Sequence, residues 1–571
     1  MFFWQKLKYR KQDISSQKSG GPQKQVTNSE ITSKLKRMGS NLEETVSLLD
    51  KVLGSNEDFK IHRFDALGVY PAALVYLSSM TEQANINNDI LKPLMRYQTD
   101  TSGDKKSLEG EQLKNLLLQD VLYHCKWDWE SDLEVIIESV LRGISAVVVD
   151  GLDQAMLFET SVVAKRNISQ PQTEQVIRGP REGFIENLDT NISLLRYRLP
   201  TPDFKIKSMK IGRITKSKVA ICYLEGICNE ELVEEVQNRL SGIDIDGIMD
   251  VGYLEQFIED NHYSPFPQIQ NTERPDKAVA NMLEGRVIIL VDGSPFALLA
   301  PTVFSQFYQT SEDYSERFVM VSFIRLARLL ALFFSLITPS LYVAIISFNP
   351  ELIPTEFAVA VSGGRAGVPF PSVVEVLIME ASMEVLREAT LRLPQQIGGA
   401  LSIVGVLVIG QAAVAAGFVS PITVVVIALT TIGSFATPAY NAALALRLLR
   451  FPMVFLAGMF GLYGVMVGLI IIANHMLSLR SFGVPYLSPV IPGNFEGIKD
   501  TIMRSPLWSM RKRPTILHTP NDMRIGKSTE AKLNEAAHNT LNPLKVGNKK
   551  WGEEDGVSSS SDRDPGGVGS D

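Results

Sequence analysis

Cysteine is scarce: Cys125, Cys222 and Cys228 are the only three in 571 residues. Their number is odd and their spacings fit neither a disulfide framework nor a zinc site, which suits a soluble region in a reducing compartment. The six histidines are scattered, so no His/Glu metal cluster forms, and neither a phosphate loop nor a nucleophile elbow occurs. "SGGRAG" at 362–367 is glycine-rich, but it lacks the Lys-Ser/Thr and the preceding strand of a phosphate loop and reads as an exposed turn. Neither enzymatic chemistry nor a cofactor or metal is expected. A basic stripe with interleaved aromatics is missing too, and the net charge is −7, so nucleic acid is not an expected partner. The opening "MFFWQKLKYRKQ" turns basic without the apolar core of a secretory signal, so the soluble region need not be exported.

What the chain does have is two compositions. Its length exceeds what one hydrophobic core usually organises. Residues 1–41 form a basic tail expected to be disordered, suited either to an anionic leaflet or to water. Residues 42–165 alternate helical patterns such as "NLEETVSLLDKVLG" and "ESDLEVIIESVLRG" with strand-like runs around Asp150-Gly151, a hairpin signal. Residues 166–316 repeat that order, with "KVAICYLEGI", "NEELVEEVQNRLSGI" and a hairpin signal at Asp292-Gly293. Either a duplicated α/β subdomain or a coincidence of common turn chemistry explains the parallel. From 317 to 480 the sequence becomes oily, with apolar runs at 329–348, 397–419, 422–446 and 453–477, each near the roughly 20 residues that cross a bilayer. The expected fold is therefore a two-subdomain α/β head followed by an α-helical transmembrane bundle of about five helices, with four to six possible. Arg317, Arg325 and Arg328 before the first run, and Arg504, Arg511, Lys512 and Arg513 after the last, put head and tail on the cytoplasmic side and ask for an even number of crossings. Residues 481–571 are expected to be a cytoplasmic tail, disordered at its Ser/Gly/Asp-rich end.

The oily half carries carboxylates. In "PSVVEVLIMEASMEVLREATLRLPQQIGG" (371–399), helical periodicity gathers Glu380, Glu384 and Glu388 within an arc of about 80°, flanked by Arg387, while Glu375 stands off the stripe. Pro369 and Pro371 restrict the approach and signal a helix from about 372 to 391. An acid at the bilayer centre costs about 2.5–3.5 kcal/mol on insertion scales and usually faces water or a partner. Three arrangements stay open: an aqueous lining that would form anionic rings in an oligomer, an interfacial helix, or a buried salt-bridge strut. Gly464 and Gly468, and also Gly410, Ala413 and Gly417, offer small-residue edges for helix packing. Pro438 with Asn441 marks either a kink or a broken span.

Four long segments carry a family resemblance: "IRGPREGFIENLDTNISLLRYRL" (177–199), "FPQIQNTERPDKAVANMLEGRVIILVDGSPFALLAPTVF" (266–304), "GVPFPSVVEVLIMEASMEVLREA" (367–389) and "PAYNAALALRLLRFP" (438–452). They resemble the hallmark segments of the A subunits of GerA-type spore germinant receptors, over about 60–515. The resemblance implies a protein of the bacterial spore inner membrane. It would work with a transporter-like B subunit and a lipoprotein C subunit, and would start germination in response to nutrients by oligomerising to form or gate an ion-release path. It also implies an ion-path or coupling role for Glu375, Glu380, Glu384, Glu388 and Arg387. A relative within the family acts in dipicolinate or ion release without sensing nutrient. Outside the family, a secondary transporter and a membrane-anchored scaffold remain alternatives. Arg274 and Asp276 in "TERPD" read as fold-stabilising contacts.

Overall fold

The computed structural model describes residues 32, 37–96, 111–117, 127–161, 170–391, 410–493, 495–526 and 528–529. Most of the basic tail, residues 397–409 of the second apolar run and the Ser/Gly/Asp-rich end lie outside them.

The head contains two antiparallel five-stranded sheets of the same strand order. The first joins β1 (Phe59–Ala66), β2 (Tyr70–Leu77), β3 (Trp127–Glu130), β4 (Ser145–Val149) and β5 (Ala155–Phe158) in the order β1-β2-β4-β5-β3. Helices α1 (Leu42–Leu53) and α2 (Leu133–Leu141) pack on one face of it through Leu49, Val52, Ile136 and Val140. The second sheet joins β6 (Phe204–Ile211), β7 (Ser217–Leu224), β8 (Gln270–Thr272), β9 (Val287–Val291) and β10 (Ala297–Ala300) in the order β6-β7-β9-β10-β8. Here α3 (Leu188–Arg198) and α6 (Pro275–Glu284) cover one face, and α4 (Glu230–Ser241) and α5 (Val251–Ile258) the other. Central β4 and β9 are buried at every position, which is why β9 and residues 146–149 of β4 read as continuous apolar runs rather than alternating ones.

The Asp-Gly turns repeat down to single hydrogen bonds. Asn41 and Asn187 are side-chain N-caps of α1 and α3. Asp150 Oδ1 accepts from the Leu42 amide at 3.1 Å and Asp292 Oδ1 from the Leu188 amide at 3.3 Å, so each turn also caps its own subdomain's first helix. The next glycine donates backward in both copies, Gly151 to Ser40 O and Gly293 to Glu186 O. Both glycines have positive φ, 84° and 91°, where a Cβ is disfavoured. The two subdomains thus share their strand order and a long-range capping scheme, so the parallel read from sequence extends to the structure. The subdomains meet at a buried ion pair, Arg196 to Asp58 at 2.8 Å, with the guanidinium 4.8 Å above the Phe204 ring.

The apolar half starts with α7 (Phe318–Phe348), whose 31 residues are about 46 Å long. Then come α8 (Thr355–Arg365), α9 (Ser372–Leu391), α10 (Pro421–Phe435) and α11 (Tyr440–Ser478). Helices α7 and α11 are long and apolar enough to cross a membrane, and α10 is a shorter apolar helix of 15 residues. The break expected between 446 and 453 falls instead at 436–439, where Pro438 cannot donate to α10; Pro452 is accommodated inside α11. As a straight rod α11 would be about 58 Å long, far beyond the hydrocarbon of a bilayer. It folds back at Gly461 (φ 60°, ψ −140°). Around that point a Cβ on Gly464 would overlap the carbonyl oxygen of Leu456, and one on Gly468 the sulfur of Met453, which no continuous helix permits. Both ends of the hairpin lie at the head: Ala439 N donates to Phe307 O, Tyr486 N to Leu479 O, and Phe304 N to Tyr486 O. Its tip, Gly461, touches Phe348 at the far end of α7.

Where α7 leaves the head, at the neck of the molecule, buried Arg325 donates from Nε to Asp313 Oδ2 and from Nη1 to Asp500 Oδ1, both at 2.8 Å. Asp500 belongs to the tail, which continues along the second subdomain, with Arg513 donating to Leu283 O.

Candidate functional site

Helix α9 owes its start to Pro371, whose carbonyl accepts from the Val374 and Glu375 amides; Phe370 stacks on Phe418 while Pro369 stays exposed. It runs antiparallel to the first arm of α11. Val373 lies against Gly458, Glu380 against Arg450 and Glu384 against Arg447, so the contacts climb one helix as they descend the other. Arg450 is about 15 Å along the arm from Tyr440, roughly midway to the tip.

The carboxylates have different partners. Glu375 is fully buried at the far end: Oε1 pairs with Arg365 at 3.0 Å, and Oε2 accepts from the Ser420 amide at 2.9 Å and from Thr423 Oγ1 at 3.0 Å. It therefore sits at the N-terminus of α10, where a negative charge is favoured. "SGGRAG" supplies this arginine from the last turn of α8: residues 362–365 are helical and only Ala366 and Gly367 form an exposed turn. Glu380 is buried and its Oε2 reaches Arg450 Nη1 at 3.4 Å. Glu384, half-buried, takes Arg387 Nη1 at 2.6 Å and Arg447 Nε at 3.4 Å. Glu388 is exposed one turn further on, and it too has an interaction partner. Arg387 and Arg447 lie over the Phe435 and Tyr440 rings at 5.3 and 5.6 Å. In the single chain, then, Glu380 and Glu384 are paired acids rather than a bare anionic face.

The pairing is incomplete. Glu380 Oε1, Arg387 Nε, Arg447 Nη2, Arg450 Nε and Thr431 Oγ1 are buried without a hydrogen-bond partner. Loose, buried charged groups of this kind are costly in an apolar environment. Sequence reasoning missed Arg447 and Arg450. Their signal was two arginines three residues apart in an apolar run, hence on one helix face. Gly464 and Gly468 line the inside of the α11 hairpin, and Gly417 approaches Gly367 O.

Outside the apolar half, Arg274 pairs with Asp276 at 2.9 Å and donates to Glu174 O and Pro180 O, pinning the segment that precedes α3.

Comparison with known proteins gives a consistent result. Residues 47–516 match the family described as Bacillus/Clostridium GerA spore germination protein. The chain is similar to spore germination protein KA of Bacillus subtilis, 41% identical over 85% of this chain and 88% of that protein. It is also similar to spore germination protein GerLA of Bacillus cereus, 36% identical over 85% of this chain and 97% of that protein. An uncharacterized membrane protein of Bacillus subtilis, YfkQ, is 38% identical over 87% and 95%. Among solved structures, the N-terminal domain of the A subunit of the Bacillus megaterium spore germinant receptor GerK3 is 32% identical; it covers 48% of this chain and 98% of that one, with a TM-score of 0.37. With its matched segment spanning both the sheet-rich head and the apolar helices, the chain belongs to the GerA family of spore germination proteins.

Proposed function

We propose that this chain is the A-type subunit of a spore germinant receptor, embedded in the spore inner membrane with its head and tail in the cytoplasm. It works there with a transporter-like B subunit and a lipoprotein C subunit, and copies of it assemble to form or gate the path by which ions leave the spore. The start of α7 and both ends of the α11 hairpin lie at the head, which suits a head and a tail on one side of the membrane. Within it, the charged ladder of α9 and the first arm of α11 couples the helices that move when the path opens.

One observation carries the ladder reading: the Glu380–Arg450 pair is buried midway along the α11 arm, yet its atoms are 3.4 Å apart and part of each group lacks a partner. An ion pair in a low-dielectric layer recovers its desolvation cost only with excellent geometry. A pair this loose is suited to exchanging partners, as a gate element must.

The test is monovalent-cation release from spores carrying Glu380→Gln, Glu384→Gln and Glu388→Gln together, with the amount of chain in the inner membrane measured alongside. Release slowed or made spontaneous at normal protein level is expected. Unchanged release at normal level would sink the ladder's role. In parallel, the purified chain in liposomes, with its oligomeric state determined, should leak cations. A well-folded oligomer without leak would move the conducting path to a partner.

A further inference from the structure

Beyond the last helix the tail returns to the neck and presents a surface that the head leaves open. Met503, Leu507 and Trp508 each expose more than half of their area, and Ile502 more than a third. A cluster of this kind is unusual on a surface facing only water. Its level is set by contacts with the start of α7. Trp508 meets the Phe318 ring edge to face, with centroids 5.9 Å apart. The Arg504 amide donates to Ser322 Oγ at 3.1 Å, and Arg504 Nη1 to Glu316 O at 2.7 Å. The first turns of α7 are themselves exposed and apolar at Val319, Met320 and Phe323, and that strip continues along the helix to Phe333 and Phe334. Tail and helix start thus set exposed apolar side chains beside one another.

The depth follows from length. A helix of 31 residues is about 46 Å long, against about 30 Å of hydrocarbon and about 40–45 Å for a bilayer with its headgroups. With α7 crossing that full thickness from its exposed apolar first turn, Phe318 and the tail cluster fall among the headgroups. Tryptophan favours that zone because its ring is apolar with one polar edge. Cations are at hand there: Arg317 is exposed, and so is half of the Lys512 side chain, whose Nζ lies 3.5 Å from the exposed Asp522 carboxylate.

We propose that residues 501–512 form a lipid-binding surface, lying on the head-side leaflet with Met503, Leu507 and Trp508 at the boundary of headgroups and acyl chains and with Arg317 and Lys512 among lipid phosphates. This rests on the reading of the apolar helices as membrane-embedded. The leaflet is the occupant because the cluster adjoins the exposed apolar strip of α7 that lipid covers on this reading.

The experiment uses the full chain at one copy per nanodisc, in phosphatidylcholine brominated on its acyl chains plus phosphatidylglycerol. The other tryptophans are Trp4, Trp127, Trp129 and Trp551, so the Trp508 signal is the difference between the parent and Trp508→Phe. The expected result is at least a twofold loss of that signal in brominated lipid and little loss with aqueous iodide. Quenching by iodide without quenching by brominated lipid overturns the proposal. Protection from both also overturns it, because protein then covers the patch. Phe334→Trp in the Trp508→Phe background reports on the layer itself. If that probe is quenched by brominated lipid while Trp508 is not, the surface proposal fails alone; if neither is, the membrane reading has failed with it.

Discussion

Two charged networks lie along the same helical half, and they differ in closeness. At the neck, Arg325 is held by Asp313 and Asp500 at 2.8 Å, with Arg328 adding a contact to Asp313 at 3.2 Å. Between the two helices of the ladder, Arg450 stands 3.4 Å from Glu380 and Arg447 3.4 Å from Glu384, while the 2.6 Å pair of Arg387 and Glu384 lies within α9. The neck joins three stretches of chain: the segment before α7, α7 itself and the tail. Short charge-assisted bonds there return much of what desolvation costs. The ladder returns less, and it lies deeper in the apolar layer. On the proposed reading the difference separates a fastening from an element able to change partners, although both are simply salt bridges by residue type.

The comparison breaks most easily at the neck. Arg325→Ala leaves Asp313 and Asp500 without their common cation, a loss of about 3–5 kcal/mol for a buried pair stripped of one partner. The expected outcome is a large drop in full-length chain recovered from membranes and in the melting temperature of what remains. Near-normal recovery would mean the neck is no fastening.

A smaller effect tests the ladder. Arg450→Gln should destabilise, because Glu380 is then stranded, while the Glu380→Gln/Arg450→Gln double variant should recover most of the loss. The coupling expected for neighbouring groups is about 0.5–3 kcal/mol, read from a double-mutant cycle of melting temperatures. A double variant as damaged as the sum of the singles would erase the distinction between the two networks.

The smallest effect is on pH dependence. Burial by itself would raise the Asp313 carboxyl, but Arg325 and Arg328 outweigh it and hold the group below its ordinary value of 3.8. A carboxylate lowered in this way contributes stability above its unfolded value and loses it as pH falls through the lower folded one. The melting temperature should therefore exceed that of Asp313→Asn by a constant amount from pH 5 upward, and the gap should close below pH 3.8. A gap that widens on acidification would contradict the assignment.

By itself the sequence determined the elements and much of their order. Side-chain caps at Asn41 and Asn187, glycine after aspartate at 150–151 and 292–293, and continuous apolar stretches within β4 and β9 are local signals, and local signals suffice for helices, hairpins and buried strands. The acidic helix was legible from its period, as was its start at Pro371. The tertiary structure alone decided what each charge meets. Which arginine faces Glu380 depends on the antiparallel register of α9 against α11, and the return of α11 at Gly461 depends on a backbone conformation that no hydropathy average contains. The joining of Asp313, Arg325 and Asp500 spans more than 170 residues of chain. Pattern is set by neighbours in sequence, whereas pairing in an apolar layer is set by which groups, once out of water, have nowhere else to turn.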